Sequence, residues 1–407
     1  MTSKPTVLKL AAAVAAALLA GTAHAQFTDG VIKIGVMNDM SGLYADIAGP
    51  GSVWAARKAV EDFGAAAKGM KVEILAADHQ NKPDIGSNIA RQWIDVDKVD
   101  AIADVPTSSV GLAVNQIIRE RNRVHLNSGS ATSDMTNKQC SPNTVHWTYD
   151  TYMLSNGTGK ALVQTGGDSW FFLTADYAFG HALERDTEAV VRAAGGKVVG
   201  KVRHPFPGQD FSSFLLQAQA SKAKVIGLAN AGGDTINSIK QAAEFGITKG
   251  GQNLAGLLVF ITDVHSLGLP TAQGLVLTES FYWDLNEGTR AWSKEFAAAH
   301  KGRMPSMVQA GVYASVLHYL KAVEALKSDA DGVKVVEKMK EMPTDDKLFG
   351  KGSIRVDGRK LHDVFLFEVK KPAESKGPWD YYKLRATIPA AEAFRPLAQS
   401  ECPLVKR

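Results

Sequence analysis

The chain has little of what most catalytic or metal-binding sequences carry. Only two of its 407 residues are cysteine, Cys140 and Cys402. Neither stands in a metal-ligand or Cys-x-x-Cys spacing, which argues against a cysteine-held metal and a vicinal redox motif. The ten histidines are scattered, with no His-Glu-x-x-His, so a zinc site is not expected. A Gly-x-Ser-x-Gly elbow is missing; the nearest stretch, Ser128-Gly129-Ser130-Ala131, lacks the flanking glycines. No phosphate loop ends in Gly-Lys-Ser/Thr, and Gly157-Thr158-Gly159 follows no strand suited to a dinucleotide. Asp176, Asp263 and Asp284 could include an acid–base pair, but spacing alone does not establish one. The expectation is a protein that is not an enzyme and holds no cofactor or metal. Charge of one sign is scarce too. Lysine and arginine total 46 against 42 acidic residues, a net charge of +4, and the basic residues are dispersed without interleaved aromatics, so no nucleic-acid partner is expected. Past residue 25 no apolar run reaches membrane length.

What is present is an export signal followed by alternating strands and helices. Lys4 and Lys9 precede a short apolar stretch, Leu10 to Ala20, and Ala23-His24-Ala25 has the small-x-small cleavage pattern. Residues 1–25 thus read as a signal peptide, with the mature chain starting at Gln26 in the periplasm. No cysteine stands at the cleavage site, so a lipid-anchored form is not indicated. In an oxidising compartment the two cysteines are expected to pair, with two unpaired thiols as the alternative. At 407 residues the chain exceeds one typical core, which points to two domains. Strand patterns at Val31–Val36, Lys71–Ala76, Val99–Ala103, Val124–Asn127 and Val145–Tyr149 alternate with helical ones at Ser52–Phe63, Asp84–Val96 and Val110–Ile118. A second series runs from Trp170 to a strand at Gly256–Phe260. Such alternation implies α/β lobes with parallel, doubly wound sheets, and the break near residue 148 suggests two of them. Beyond residue 270 come a strand at Gly274–Thr278, an aromatic cluster at Phe281-Tyr282-Trp283 and a long helix, Val308 to Leu326, with Val312, Val316, Tyr319 and Val323 on one face.

Two successive strands end in hydroxyl-rich loops, Pro106-Thr107-Ser108-Ser109 and Ser128-Gly129-Ser130-Ala131-Thr132-Ser133. Ligands of open parallel sheets collect at the carboxyl ends of the strands, and a helix start there suits an anion. Serine and threonine are also ordinary helix caps, so both a ligand cradle and plain capping stay open.

These residues, with Ile32-Lys-Ile-Gly35, Met40-Ser41-Gly42, Asp176-Tyr177-Ala178-Phe179-Gly180, Gln241 to Gly246 and Phe349-x-Gly-x-Gly-x-Ile354, resemble the periplasmic leucine/isoleucine/valine-binding type of ABC-transporter substrate-binding protein. The likeness implies a type I clamp: two lobes, three crossovers, and a ligand enclosed between them. Lobe one would be 26–148 plus 281–349, and lobe two 149–280 plus 350–407 with the C-terminal tail. By the resemblance, Thr107 or Ser108 and Ser130, Ala131 and Thr132 hold the ligand's carboxylate. Tyr44 packs on the ligand, and Tyr177 or Phe179 reaches it from lobe two; Tyr44 and Phe179 could instead only pack the surface between lobes. Asp263 lies near the place of the carboxylate that pairs with an α-ammonium in amino-acid binders, although it is shorter than the usual Glu. Asn230 offers an amide in place of an aromatic wall. Tyr149, Tyr282 and Trp283 would line an aromatic pocket. The same layout places Cys140 after the second ligand loop and Cys402 in the tail, so their bond would pin the tail near lobe one.

The resemblance implies a monomer that captures a small carboxylate, an aromatic acid or a hydrophobic amino acid, and hands it to a membrane permease. A ligand-sensing module for a membrane receptor is the alternative, and an exported hydrolase a remoter one.

Overall fold

A computed structural model describes residues 27–406, so the signal peptide expected over 1–25 lies outside the described residues. Strands β1 (Ile32–Asn38), β2 (Val72–Asp78), β3 (Ala101–Asp104), β4 (Val124–Asn127) and β5 (Thr144–His146) pair in the order β2-β1-β3-β4-β5, all parallel. Helices α1 (Gly49–Phe63), α2 (Pro83–Arg91) and α3 (Ser108–Glu120) make the connections. Both faces are covered. Ile34 and Val36 enter one core with Ala56, while Met37 and Ile102 enter another with Trp93, Val110 and Val114. A second parallel sheet, β7-β6-β8-β9, is built from β6 (Ser169–Ala175), β7 (Lys197–His204), β8 (Val225–Ala229) and β9 (Asn253–Gly256). Helices α4 (Ala178–Ala193), α5 (Ser212–Ala220) and α6 (Gly233–Glu244) connect these strands, and α7 (Ile261–Leu267) follows β9. All seven residues of β6 are buried, as a central strand covered on both faces requires.

After β10 (Val276–Glu279) the chain returns to the first sheet. There α8 (Glu287–Ala299), α9 (Met307–Leu326) and α10 (Gly332–Glu341) complete its cover. α9 starts with a reciprocal cap: Ser306 Oγ accepts from the Val308 and Gln309 amides at 3.2 and 3.3 Å, and Gln309 Oε1 accepts from Ser306 N at 3.0 Å. Val312, Val316, Tyr319 and Val323 are all buried, the face that their spacing marks out.

Three expectations shift. The strand expected over 256–260 lies earlier, at Asn253–Gly256, because Leu257 to Phe260 leave the sheet for the cleft. After Val145–Tyr149 the sequence also reads as one helix from Tyr152 to Gln164, but this breaks at Ser155–Gly159 into a wider turn. A Cβ on Gly157 would stand 2.2 Å from Thr278 Oγ1, so the glycine lets this segment lie against β10. The third concerns the last crossover, expected near Gly350. β11 (Thr344–Asp346), β12 (Gly350–Ile354) and β13 (Lys360–Leu361) form their own antiparallel sheet. Arg359 bridges to His146 of β5, so this sheet lies beside the first sheet and the chain crosses only after β13. Then β14 (Val364–Val369) and β15 (Tyr382–Ile388) pair antiparallel with β10 in the order β10-β14-β15. Cys140 and Cys402 are bonded, with Cα atoms 5.6 Å apart and a sequence separation of 262, as expected.

Arg359 ties two crossovers together. Fully buried, its guanidinium donates to Trp147 O at 2.6 Å, Tyr149 O at 3.1 Å and Asp150 Oδ2 at 3.3 Å, with Phe394 against its face. Asp150 in turn caps the short helix Thr151–Leu154. Replacing Arg359 with Ala leaves a buried carboxylate and two carbonyls unpaired. Urea unfolding should show a loss of about 3–5 kcal/mol.

Candidate ligand-binding site

The carboxyl ends of the two sheets face each other, and the loops that follow their strands line a narrow cavity between them. Each strand delivers its own residues: Tyr44 and Ile47 after β1, Pro106 after β3, Ala131 after β4, Tyr149 after β5. From the other side come Tyr177 and Phe179 after β6, Ala231 after β8, and Leu258 and Phe260 after β9. No side chain in this lining carries a charge. Tyr44 is aimed by Asp39, whose carboxylate accepts from the Gly42 and Tyr44 amides at 2.6 and 2.9 Å. Its hydroxyl meets that of Tyr177 at 2.7 Å across the lobes, and Tyr177 stacks on Phe206 with ring centres 4.0 Å apart. Gly232 has φ +56°, and a Cβ there would stand 2.7 Å from Leu43 O, so glycine is what allows this approach of the lobes. Tyr149 donates to Gly129 O at 2.8 Å. Burial pushes the Tyr44, Tyr149 and Tyr177 phenols above their ordinary range, so they remain neutral.

The structure brings Tyr44, Ala131, Tyr149, Tyr177 and Phe179 together at this cavity and assigns the other candidates elsewhere. The hydroxyls of the two loops stitch the loops to the protein. Thr107 donates to Asn81 Oδ1, Ser130 to Val105 O and Thr107 O, Ser108 Oγ accepts from Thr132 N at 3.2 Å, and Thr132 Oγ1 accepts from Asp134 N at 3.3 Å. Asn230 is buried behind the cavity, bonded to His204 Nε2, Ser238 and Thr235 at 3.2, 3.1 and 2.7 Å. Asp263 caps α7, accepting from Phe260 N at 2.9 Å, so its carboxylate is turned to the backbone. Tyr282 donates to Trp379 O at 3.0 Å, and at the crossover it and Trp283 pack against the core of the second lobe, beside Phe367 and Tyr382, away from the cavity. Ile47, Pro106, Ala231, Leu258, Phe260 and the supporting Phe206 were not singled out by motif. All but Ile47 stand within about four residues of a strand's end, a signal that the carboxyl-end rule carries.

The turn into Pro106 is strained: Asp104 and Val105 both have positive φ, +79° and +55°. Asp104 lies under the second loop, where a Cβ on Gly129 would approach it to 2.8 Å. Burial raises the Asp104 carboxyl to about 7, although Asn38 Nδ2 donates to it at 2.9 Å. Among the described residues no cluster of three or more His, Cys, Asp or Glu could hold a metal, and no helix is long and apolar enough to cross a membrane.

Comparison with known proteins gives the class. The sequence model of the periplasmic binding protein family matches residues 31–377, and the chain belongs to that family of solute-binding proteins. A periplasmic binding protein from Burkholderia mallei is 53% identical, with a TM-score of 0.90 over 93% of this chain and 100% of that one. A branched-chain amino acid ABC transporter periplasmic ligand-binding protein from Burkholderia xenovorans is 39% identical, with a TM-score of 0.82 over 92% and 100%. A solute-binding protein of an ABC transporter from Rhodopseudomonas palustris, in complex with p-hydroxybenzoic acid, shares the fold at 24% identity, TM-score 0.80, over 88% and 97%.

Two outcomes follow from the carboxylates. Asp263→Asn keeps an acceptor for Phe260 N–H and should leave solute binding nearly unchanged, while Asp263→Ala should cost about 1–3 kcal/mol of stability in urea. The raised Asp104 carboxyl makes the folded state hold a proton that the unfolded state releases near pH 4. Its stabilising share is therefore complete below about pH 4 and lost as pH rises through about 7. Asp104→Asn should remove a fall that reaches about 1.4 kcal/mol per pH unit at its steepest, read from unfolding midpoints across pH 4–8.

Proposed function

We propose that this protein is the periplasmic receptor of an ABC importer, that it closes its two lobes around a small aromatic carboxylate, and that it delivers the solute to a membrane permease as a monomer. The lobes are residues 27–148 with 281–361, and 149–280 with 362–388. The observation that carries the ligand class is the cavity lining: three tyrosines, two phenylalanines and five aliphatic residues, with no carboxylate to meet an α-ammonium. Burying an ammonium without a partner costs several kcal/mol, whereas a flat ring gains from each aromatic wall. The solute's carboxylate is assigned to backbone amides at the start of α3 and around Ala131, where a helix N-terminus favours an anion. The Rhodopseudomonas protein of the same fold is in complex with p-hydroxybenzoic acid, which supports this reading. Closure is driven by contacts that the solute makes with both lobes at once.

A branched-chain amino acid is the second reading, favoured by what the Burkholderia xenovorans protein is named for. A thermal-shift and calorimetry series with benzoate, 4-hydroxybenzoate, benzamide and leucine separates the two. The aromatic acids should raise the melting temperature. Benzamide should bind at least about tenfold more weakly than benzoate, since charge-assisted hydrogen bonds are worth about 1.5–3 kcal/mol each. Leucine should give no shift. Tight leucine binding, or benzamide equal to benzoate, would overturn the proposal.

A further inference from the structure

We propose that the C-terminal segment from Ala390 to Cys402 is a strap between the lobes, coupling closure to the second ligand loop through Asp186. The inference rests on the reading of the molecule as a closing clamp, and not on the class of its solute.

The segment starts on the second lobe. It leaves β15 through the short helix Ala390–Ala393, held there by Asn156 Nδ2, which donates to Glu392 O at 2.6 Å. It then crosses the hinge. Phe394 lies under the buried guanidinium of Arg359 at 4.6 Å, and Arg395 O accepts from Arg355 at 2.7 Å. It ends on the first lobe, between β4 and β5, where Glu401 N donates to Asn137 Oδ1, Asn137 Nδ2 donates to Glu401 Oε2 at 3.0 Å, and Cys402 is bonded to Cys140. The lobes are thus joined by a fourth covalent path beside the three crossovers.

Midway, Arg395 meets a network that links the two lobes. Asp186, buried on α4 of the second lobe, accepts from Ser133 Oγ and Thr151 Oγ1, both at 2.6 Å, through one oxygen. Its other oxygen accepts from Arg185 at 3.1 Å and Arg395 at 3.2 Å. Arg185 also reaches Asp134 of the first lobe at 3.2 Å. Ser133 stands two residues from Ala131, and Thr151 N donates to Ala131 O at 2.8 Å, so both partners of Asp186 flank a residue of the cavity wall. Opening the lobes would pull Ser133 and Asp134 away from Asp186 and Arg185, leaving charged groups to be resolvated. A tail fixed at both ends holds Arg395 at that junction and limits the opening. Asp186 is accordingly a positioning residue: it touches no cavity atom and acts through the loop that does.

Two variants test this against the intact chain. Cys140→Ser/Cys402→Ser releases the far end of the strap. Arg395→Ala keeps the disulfide and removes only the guanidinium. Small-angle scattering on the solute-free proteins, and calorimetry with 4-hydroxybenzoate, give independent readouts. The strap requires a larger solute-free radius of gyration in both variants. It also requires affinity weakened about tenfold in the double serine variant, within the range usual for coupled sites. A lower melting temperature with unchanged radius and affinity overturns the strap, because a merely structural disulfide would do just that. Should 4-hydroxybenzoate not bind the intact chain, the solute reading fails while the radius still decides the strap. Should the serine variant not fold, the radius of Arg395→Ala decides it.

Discussion

The buried guanidinium of Arg359 joins the first crossover to the approach to the last, beside the stretch that carries Tyr149 to the cavity. A planar fork with several donors can satisfy three acceptors at once, and here those acceptors are Trp147 O, Tyr149 O and Asp150 Oδ2. They belong to the first crossover, while Arg359 itself stands at the approach to the last. The pairing of Arg359 with His146 adds a backbone bridge at the same point. Two residues past Trp147, Tyr149 then reaches the cavity, so the hinge and the binding wall are one stretch of chain.

The chemistry of the cavity is that of neutral groups. Its hydroxyls are phenols kept protonated by burial, and two of them are already bonded to each other across the lobes. The Tyr44–Tyr177 contact leaves one phenolic proton between the two oxygens for anything else, which limits how many polar groups a solute can satisfy there. The strained turn at Asp104 and Val105 carries Pro106 to the same wall. Such backbone strain persists only where surrounding contacts over-determine it. Those contacts are the stitches between the Thr107 and Ser130 loops.

The fold was legible in the sequence because period-2 and period-3.6 patterns alternate strongly, and burial on both faces of β6 leaves no ambiguity about a covered parallel sheet. The aromatic part of the cavity was legible as well: Tyr44, Tyr149, Tyr177 and Phe179 stand just past strand ends. Polar side chains that serve the backbone were harder to read. Ser130, Thr132 and Asp263 look like ligand-binding groups in one dimension, yet in the fold Thr132 and Asp263 accept from amides two and three residues away, and Ser130 donates to a carbonyl of the preceding loop. The reverse error hid Ala231 and Leu258, because small or aliphatic residues show their role only through the loop geometry that exposes them. The crossover near Gly350 was misplaced because a short antiparallel hairpin has no signal for which sheet it will join.

The most direct measurement compares solutes that differ by one group. Leucine and 4-methylpentanoate share a skeleton, as do phenylalanine and 3-phenylpropionate, and each pair differs only in the α-ammonium. Equilibrium dialysis of the mature protein against each pair isolates the cost of placing that charge in a cavity that offers it no partner. The acid lacking the ammonium should bind more tightly in both pairs, by at least about tenfold, since an uncompensated buried charge costs several kcal/mol. Tighter binding of either amino acid than of its deaminated counterpart would contradict the assignment of a neutral, aromatic-walled site for carboxylates.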